Sequence, residues 1–368
     1  MSYKVCEIND INEFFLIKEE WNRLLSESDV DQPFLRHEWL TVWWKHFGGN
    51  NTLAVILIKD NDNDTLALAA PLMELRNTKM GIGVIILQSL TNFHSNNYNF
   101  IFAKAKIDVV GVFYEYLKRR PRRWDLMQLQ EIPTHTNNFH TILDGAKRAG
   151  YKTESWRRGD APHLPIINDW DAYFLSLKSK FRSNLRNRTK RLAKEGEIEH
   201  VIIERGGNID SALAKGLEIE KKSWKGVSKS AIACDPILTS FYTEIAKVAE
   251  KERWLRLSFL KVGGDFAAFD FSLIYNKTLY CLKIGYDPLY KPYSVGQLLC
   301  KENIKKSFDE KLLEYDFLGE MTKQKSDWTT NTHHVMWGFI YNFTAFGRIH
   351  YIYKFIIKQK LKRLKNKQ

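Results

Sequence analysis

Between Trp254 and Leu318 the chain reads as three strands, a helix and a fourth strand, and this order restricts its fold more than any other feature. Leu255, Leu257 and Phe259 alternate with polar residues as far as Gly263-Gly264-Asp265, a short-hairpin signal. Phe266 to Tyr275 forms a second run, broken at Asn276-Lys277, and Thr278 to Tyr286 a third. A loop rich in Pro, Tyr and Gly leads into a helix from about Val295 to Phe308, with Cys300, Ile304 and Phe308 on one stripe. Leu312 to Leu318 is the closing strand. A chain in this order sets a glycine-bearing helix start beside a sheet, a place where an anion can be held.

The first half repeats the order. After a short strand, Ile11–Leu25 and Glu38–His46 read as helices, separated by a turn at Pro33-Phe34-Leu35. Leu53–Lys59, Thr65–Leu75 and Gly83–Leu90 read as strands, Ile107–Arg120 as a helix, Trp124–Gln130 as a strand and Asn138–Ala149 as a helix. In the second half the meander is preceded by helices at Arg182–Lys194, Ala212–Trp224 and Phe241–Lys251. The spacing of about 190 residues is far too long for a solenoid and predicts two similar lobes. The expected fold is α/β: two tandem lobes, each a mixed, mainly antiparallel sheet flanked by helices. The expected divisions are 1–155, 165–337 and a basic tail 338–368, with a link near Tyr151–Trp170 that contains Pro162 and Pro165. The acidic turn Asp60–Asp64 lacks the later Gly and Glu of a calcium hand and reads as a hairpin tip.

Net charge is +13, yet two stretches hold the excess: Ala172–Lys194 and Gly338 to the end each carry eight Lys/Arg and no acidic residue. Positive residues in the first stretch fall on several helix faces, whereas counterion-release binding needs a continuous stripe, so nucleic acid is not the expected partner. The tail interleaves Tyr353, Phe355, Ile356, Ile357, Leu361 and Leu364 with Lys and Arg, a pattern suited to an anionic membrane surface or to a solvated helix. Cys6, Cys234, Cys281 and Cys300 match no metal-ligand spacing, so no metal is expected, and they read as buried free thiols in a reducing compartment. No leader pattern or spanning segment is apparent. The expected location is cytoplasmic, at the inner face of the membrane if the tail binds there.

The two halves differ at one place. The third strand of the second half runs through Tyr293-Ser294-Val295-Gly296-Gln297 straight into a helix, whereas the matching loop of the first half is Asn-rich and lacks a glycine. Gly296 permits close approach to the backbone, and Ser294 can cap the helix or reach an oxygen. A purely structural cap fits the same residues.

These motifs in this order resemble the GNAT acyltransferase superfamily, and within it the two-lobed branch of BioF-type and CelD-like acetyltransferase domains, to which the FemABX aminoacyl transferases are more distantly related. The likeness rests on Pro33-Phe34-Leu35 with Trp39, Trp43 and Trp44, on Phe181-Arg182-Ser183-Asn184-Leu185-Arg186, on Tyr293 to Leu299, and on Tyr315-Asp316-Phe317-Leu318-Gly319-Glu320 with Lys325 and Trp328. The loop has one glycine where the superfamily commonly has two or three. The resemblance implies an acetyl-CoA or other acyl-CoA donor. Ile284, Gly285 and Tyr286 would pair with its pantetheine amides, and Tyr293 to Leu298 (Val295, Gly296 and Gln297 included) would hold its pyrophosphate.

Gly285, late in its strand, is expected to form a bulge. Glu320 or Asp316 is the expected base, and Lys325 the expected contact to polar groups of the acceptor. Glu320 and Lys325 read equally well as a surface ion pair, and His333-His334 as surface or core residues. The acceptor, an amino or hydroxyl group of a polysaccharide or envelope precursor, is expected between the lobes near Trp224, Tyr275, Asn97 and Tyr98. Transfer would be direct. The competing expectations are a non-catalytic partner at the membrane surface and a transferase dependent on charged transfer RNA; the sequence is silent on oligomeric state.

Overall fold

The computed structural model describes residues 2–79, 82–104, 107–223 and 231–352. The chain forms two compact units, Met1–Gly159 with His334–Gln368, and Asp160–His333. Both are α/β, with sheets flanked by helices.

The first unit contains β1 (Tyr3–Ile8), β2 (Thr52–Leu53), β3 (Val55–Asp60), β4 (Thr65–Ala70), β5 (Leu72–Lys79), β6 (Ile82–Ser89), β7 (Ile101–Phe102) and β8 (Leu126–Pro133). The run Thr65–Leu75, expected as one strand, is divided at Pro71. Proline has no N–H for a ladder, and here β4 joins the sheet β1–β3–β4–β7 while β5 pairs with β6 in another. The single sheet expected of this half is thus two. β6 and β8 run parallel, joined through the helix Val110–Arg119. Tyr98, Phe100, Phe113, Tyr114 and Trp124 fill the core between the layers. At its rim the Arg120 guanidinium is fully buried against Glu7 (2.6 Å) and Glu74 (3.1 Å).

The expected link is a strand. β9 (Lys152–Pro165) carries the chain out of the first unit, and β15 (Thr332–Tyr341) carries it back to pair antiparallel with β8. Residues from His334 therefore belong with the first unit, where a lobe ending at 337 and a separate tail were expected. Tail residues 353–368 lie outside the described residues. Among the described residues no helix is long and apolar enough to cross a membrane.

The second unit is a sheet in the order β10 (Ile198–Ile203), β11 (Leu255–Val262), β12 (Asp265–Tyr275), β13 (Thr278–Tyr286), β14 (Glu314–Asp316), β9. The meander β11–β12–β13 forms as the alternation requires, with turns at Gly263-Gly264 and at Asn276-Lys277, all four at positive φ. The helix Val295–Asp309 then returns the chain to lay β14 parallel to β13, the strand–helix–strand order seen at β6 and β8. The short edge strand β10 escapes the sequence reading. One sheet face packs on the helices Ser179–Leu192 and Val295–Asp309 through Leu185, Leu192, Leu299 and Ile304 against Leu260, Ala268 and Leu279. The alternate face, with Phe269 and Phe271, meets the helices Ile209–Lys222 and Pro236–Lys251.

Candidate active site

β13 and β14 pair over three residues only, ending at Tyr280–Asp316. Beyond that point β13 continues to Tyr286, while the other chain turns away through Leu318 and Gly319, both left-handed (φ 50° and 57°). On its opposite edge β13 carries a bulge at Leu282, where the register with β12 shifts between Phe271–Lys283 and Ser272–Cys281. The strands part at the place where β13 is irregular on both edges. A cavity of about 760 Å³ occupies the gap, lined by Cys281, Ile284, Gly285 and Tyr286 on one side and by Tyr315, Phe317, Lys325 and Trp328 on the other.

The helix Val295–Asp309 begins at this cavity, which Ser294, Val295, Gly296, Gln297 and Cys300 also line. Ser294 holds a left-handed conformation (φ 52°, ψ 48°) and makes no side-chain cap, one of the two roles open to it in the sequence. Its carbonyl instead accepts from Gln297 (2.8 Å) and Leu298 (3.2 Å). The N–H groups of Val295 and Gly296 have no acceptor among the described residues, leaving the positive helix end open toward the cavity. A Cβ on Gly296 would meet only Ile284 and Tyr286, both at 3.9 Å, so the residue leaves open space at the cavity wall. The Gln297 side chain accepts from the Trp328 indole (2.7 Å) and donates to the Gln324 carbonyl (3.4 Å), tying the helix start to the far wall.

Gly285 is not the bulge. It pairs regularly with Phe269, and its missing side chain admits the backbone of the helix Ile209–Lys222: a Cβ would stand 2.8 Å from Glu220 Cα. Leu298 is buried in the core and Tyr293 donates outward to Glu195 (2.6 Å) beneath the Arg191 guanidinium, so neither lines the cavity. Lys325 does. Its Nζ donates to the carbonyl oxygens of Leu318 (2.5 Å) and Glu320 (3.2 Å), and burial lowers its pKa from the ordinary lysine value. The Asp316 carboxylate is buried and accepts from the Leu318 N–H (2.7 Å), fixing the turn that parts the strands. Glu320 is exposed at that turn.

The other expected residues are dispersed. Tyr275 lies at the opposite end of β12, edge-on to Trp254 at 5.3 Å. Asn97 and Tyr98 belong to the first unit, where the Asn97 carbonyl accepts from Gln32 and Tyr98 is a core residue. Trp224 lies outside the described residues. His333 stacks on His163 (3.7 Å, 1° between planes), and both come within 4.0 Å of Glu314. Among the described residues these three alone have spacing that suits a metal ion, but in-plane lone pairs of parallel rings do not converge on one point.

Sequence reasoning missed the polar group buried behind Cys281. Asp270, fully buried in β12, accepts from Ser272 Oγ and, at 3.0 Å, from the Cys281 thiol; burial pushes its pKa up to about 6. The Tyr315 hydroxyl interacts with both Cys281 and Cys300, and burial raises the pKa of each thiol. A carboxylate amid the apolar run FAAFDFSLIY was the available signal. Of the cysteines, Cys300 is buried, Cys281 half-buried at the cavity, and Cys6 and Cys234 are exposed, where all were expected inside.

Residues 179–327 match the Acetyltransf_6 family, an acetyltransferase (GNAT) domain. No curated protein sequence matches the chain. Among solved structures the chain is similar to FemX, at a TM-score of 0.63 and 10% identity over 95% of this chain and 99% of the other. It is also similar to the C-terminal domain of a putative lysylphosphatidylglycerol synthetase from Agrobacterium fabrum (0.53, 10%, 91% and 93%) and to L-PGS from Bacillus licheniformis (0.52, 9%, 88% and 91%). At these identities the likeness is one of fold. The chain carries a GNAT-like acyltransferase domain, and the cavity described above lies within the matched residues and Trp328 beside them.

Proposed function

We propose that the cavity of the second unit binds acyl-CoA and that the protein passes the acyl group to an amine or hydroxyl. The observation that carries this is the parting of β13 from β14 beside a helix start with two open N–H groups. A thioester arm fits along the unpaired edge of β13 at Ile284–Tyr286, and a pyrophosphate fits the positive helix end at Ser294–Gln297, where Gly296 offers no obstruction. Lys325, held by two carbonyl oxygens, is positioned to stabilise the oxyanion that forms when the acyl carbon is attacked. Glu320 is assigned as the base toward the acceptor, with Asp316 as the residue that positions its turn. The order of motifs supports the BioF-type and CelD-like branch. The likeness to a protein named as a putative lysylphosphatidylglycerol synthetase supports an acceptor among envelope precursors. The basic tail is proposed to hold the protein at the inner face of the membrane.

A second reading has its own observation. The exposed basic helix Ser179–Leu192 leads to Arg191 over Tyr293, next to the helix start, and could receive the phosphates of a charged transfer RNA. Calorimetry decides between them: acetyl-CoA should bind the wild type, and Gly296→Trp should abolish that binding. Binding of charged transfer RNA with none of acyl-CoA would favour the second reading, and binding of neither would leave a non-catalytic partner. Given acyl-CoA binding, Glu320→Gln with unchanged turnover at every pH would remove Glu320 as the base. Lys325→Met should lower turnover by ~10²-fold or more while the donor still binds.

A further inference from the structure

We propose that the acyl group is transferred first to Cys281, in place of the direct transfer that the resemblance implies, with Asp270 as the base that receives the thiol proton; this rests on the reading of the cavity as an acyl-thioester site. Cys281 is the first residue of β13 beyond its last pair with β14, so it stands at the apex of the gap, where the reactive end of an arm laid along Ile284–Tyr286 arrives. The bulge at Leu282 sets Cys281 opposite Ser272 on the face that carries Asp270. Nucleophile and base are in hydrogen-bond contact at 3.0 Å, and Ser272 donates to the other carboxylate oxygen, which orients the base. This is a nucleophile, a base and an orienting group on adjacent strands, of which Cys281 faces the cavity that Tyr315 and Lys325 also line while Asp270 and Ser272 are buried behind it.

In the first half-reaction Cys281 Sγ attacks the thioester carbonyl carbon as its proton passes to Asp270. The new C–S bond replaces the bond to the carrier sulfur, and coenzyme A leaves as the thiolate and takes up a proton from solvent. In the second the acceptor attacks the Cys281 thioester, its proton passes to the base on the acceptor side, and the Cys281 thiolate recovers the proton from Asp270. Lys325 faces the oxyanion in both. Burial holds the thiol protonated at neutral pH, so Cys281 depends on Asp270, which ionises near pH 6.

The test is intact-mass analysis of the full chain mixed with acetyl-CoA in the absence of acceptor, beside calorimetry of acetyl-CoA binding. The wild type should gain the mass of one acetyl group, removable by hydroxylamine and mapping to Cys281. Its rate of formation should rise with pH through about 6. Cys281→Ala should bind acetyl-CoA and gain no mass. Asp270→Asn should form the adduct ~10²-fold or more slowly and lose that pH dependence. Bound acetyl-CoA with no adduct, an adduct on Cys300, or wild-type turnover by Cys281→Ala would each show that transfer does not pass through Cys281. Absence of acetyl-CoA binding would instead overturn the reading of the cavity, and this inference with it.

Discussion

Asp270 makes the second unit less stable at neutral pH than its fold permits. Its folded pKa of about 6 stands above the ordinary 3.8, so the folded state favours the protonated form. That contribution is fully present below about pH 4 and is lost as pH rises through about 6. A shift of about two units is worth ~3 kcal/mol. Asp270→Asn should therefore raise the free energy of urea unfolding relative to wild type by more at pH 8 than at pH 5, approaching that figure at pH 8. A difference independent of pH would disprove the charge argument.

The two glycines of the site should separate just as clearly. Gly285→Ala places a methyl against the Glu220 backbone and should cost ~1–3 kcal/mol in denaturant unfolding. Gly296→Ala should leave stability within ~1 kcal/mol, because its Cβ meets nothing closer than 3.9 Å, and should weaken acyl-CoA binding measured by calorimetry. The place of Gly296 at a helix start was legible in the chain, since a bare residue there is a local feature. The reason for Gly285 was not, because Glu220 reaches it only after the sheet and helix have packed.

Elements followed their periodicity, and most of the site came with them. The meander, the crossover helix and the loop from Ser294 to Gln297 are local patterns, and seven of the nine expected donor-binding residues (all but Tyr293 and Leu298) line one cavity. What a pattern cannot show is where two strands separate. β14 is only three residues long, paired to β13 on one side and to β9 on the other, and the left-handed Leu318 is not a residue type that announces a turn. Across the gap, Gln297 is the tether between the crossover helix and the short helix Lys323–Ser326. Gln297→Ala should leave the buried Trp328 indole N–H without its partner, costing ~1–2 kcal/mol. Hydrogen exchange at residues 323–328 should quicken while the strand β12 stays protected. Equal acceleration throughout the unit would mean that the side chain serves the whole core.

At the scale of the whole molecule, the first unit carries a buried charge cluster built on Arg120. Arg120→Ala would leave Glu7 and Glu74 beside each other with no cation between them. It should cost ~3–5 kcal/mol, read as a lower first transition in scanning calorimetry, whereas Arg120→Lys should recover part of it. The cluster joins three distant segments and was invisible in the basic run Lys118–Arg123, which does not show which arginine turns inward.

The route of the chain has one more consequence. β8 obtains its antiparallel neighbour β15 only from residues that follow the entire second unit. On a ribosome the first unit emerges first yet lacks one neighbour of β8 until Thr332–Tyr341 is made. A chain cut short before Thr332 retains the acyltransferase domain and leaves β8 an unguarded sheet edge, open to pairing with other nascent chains.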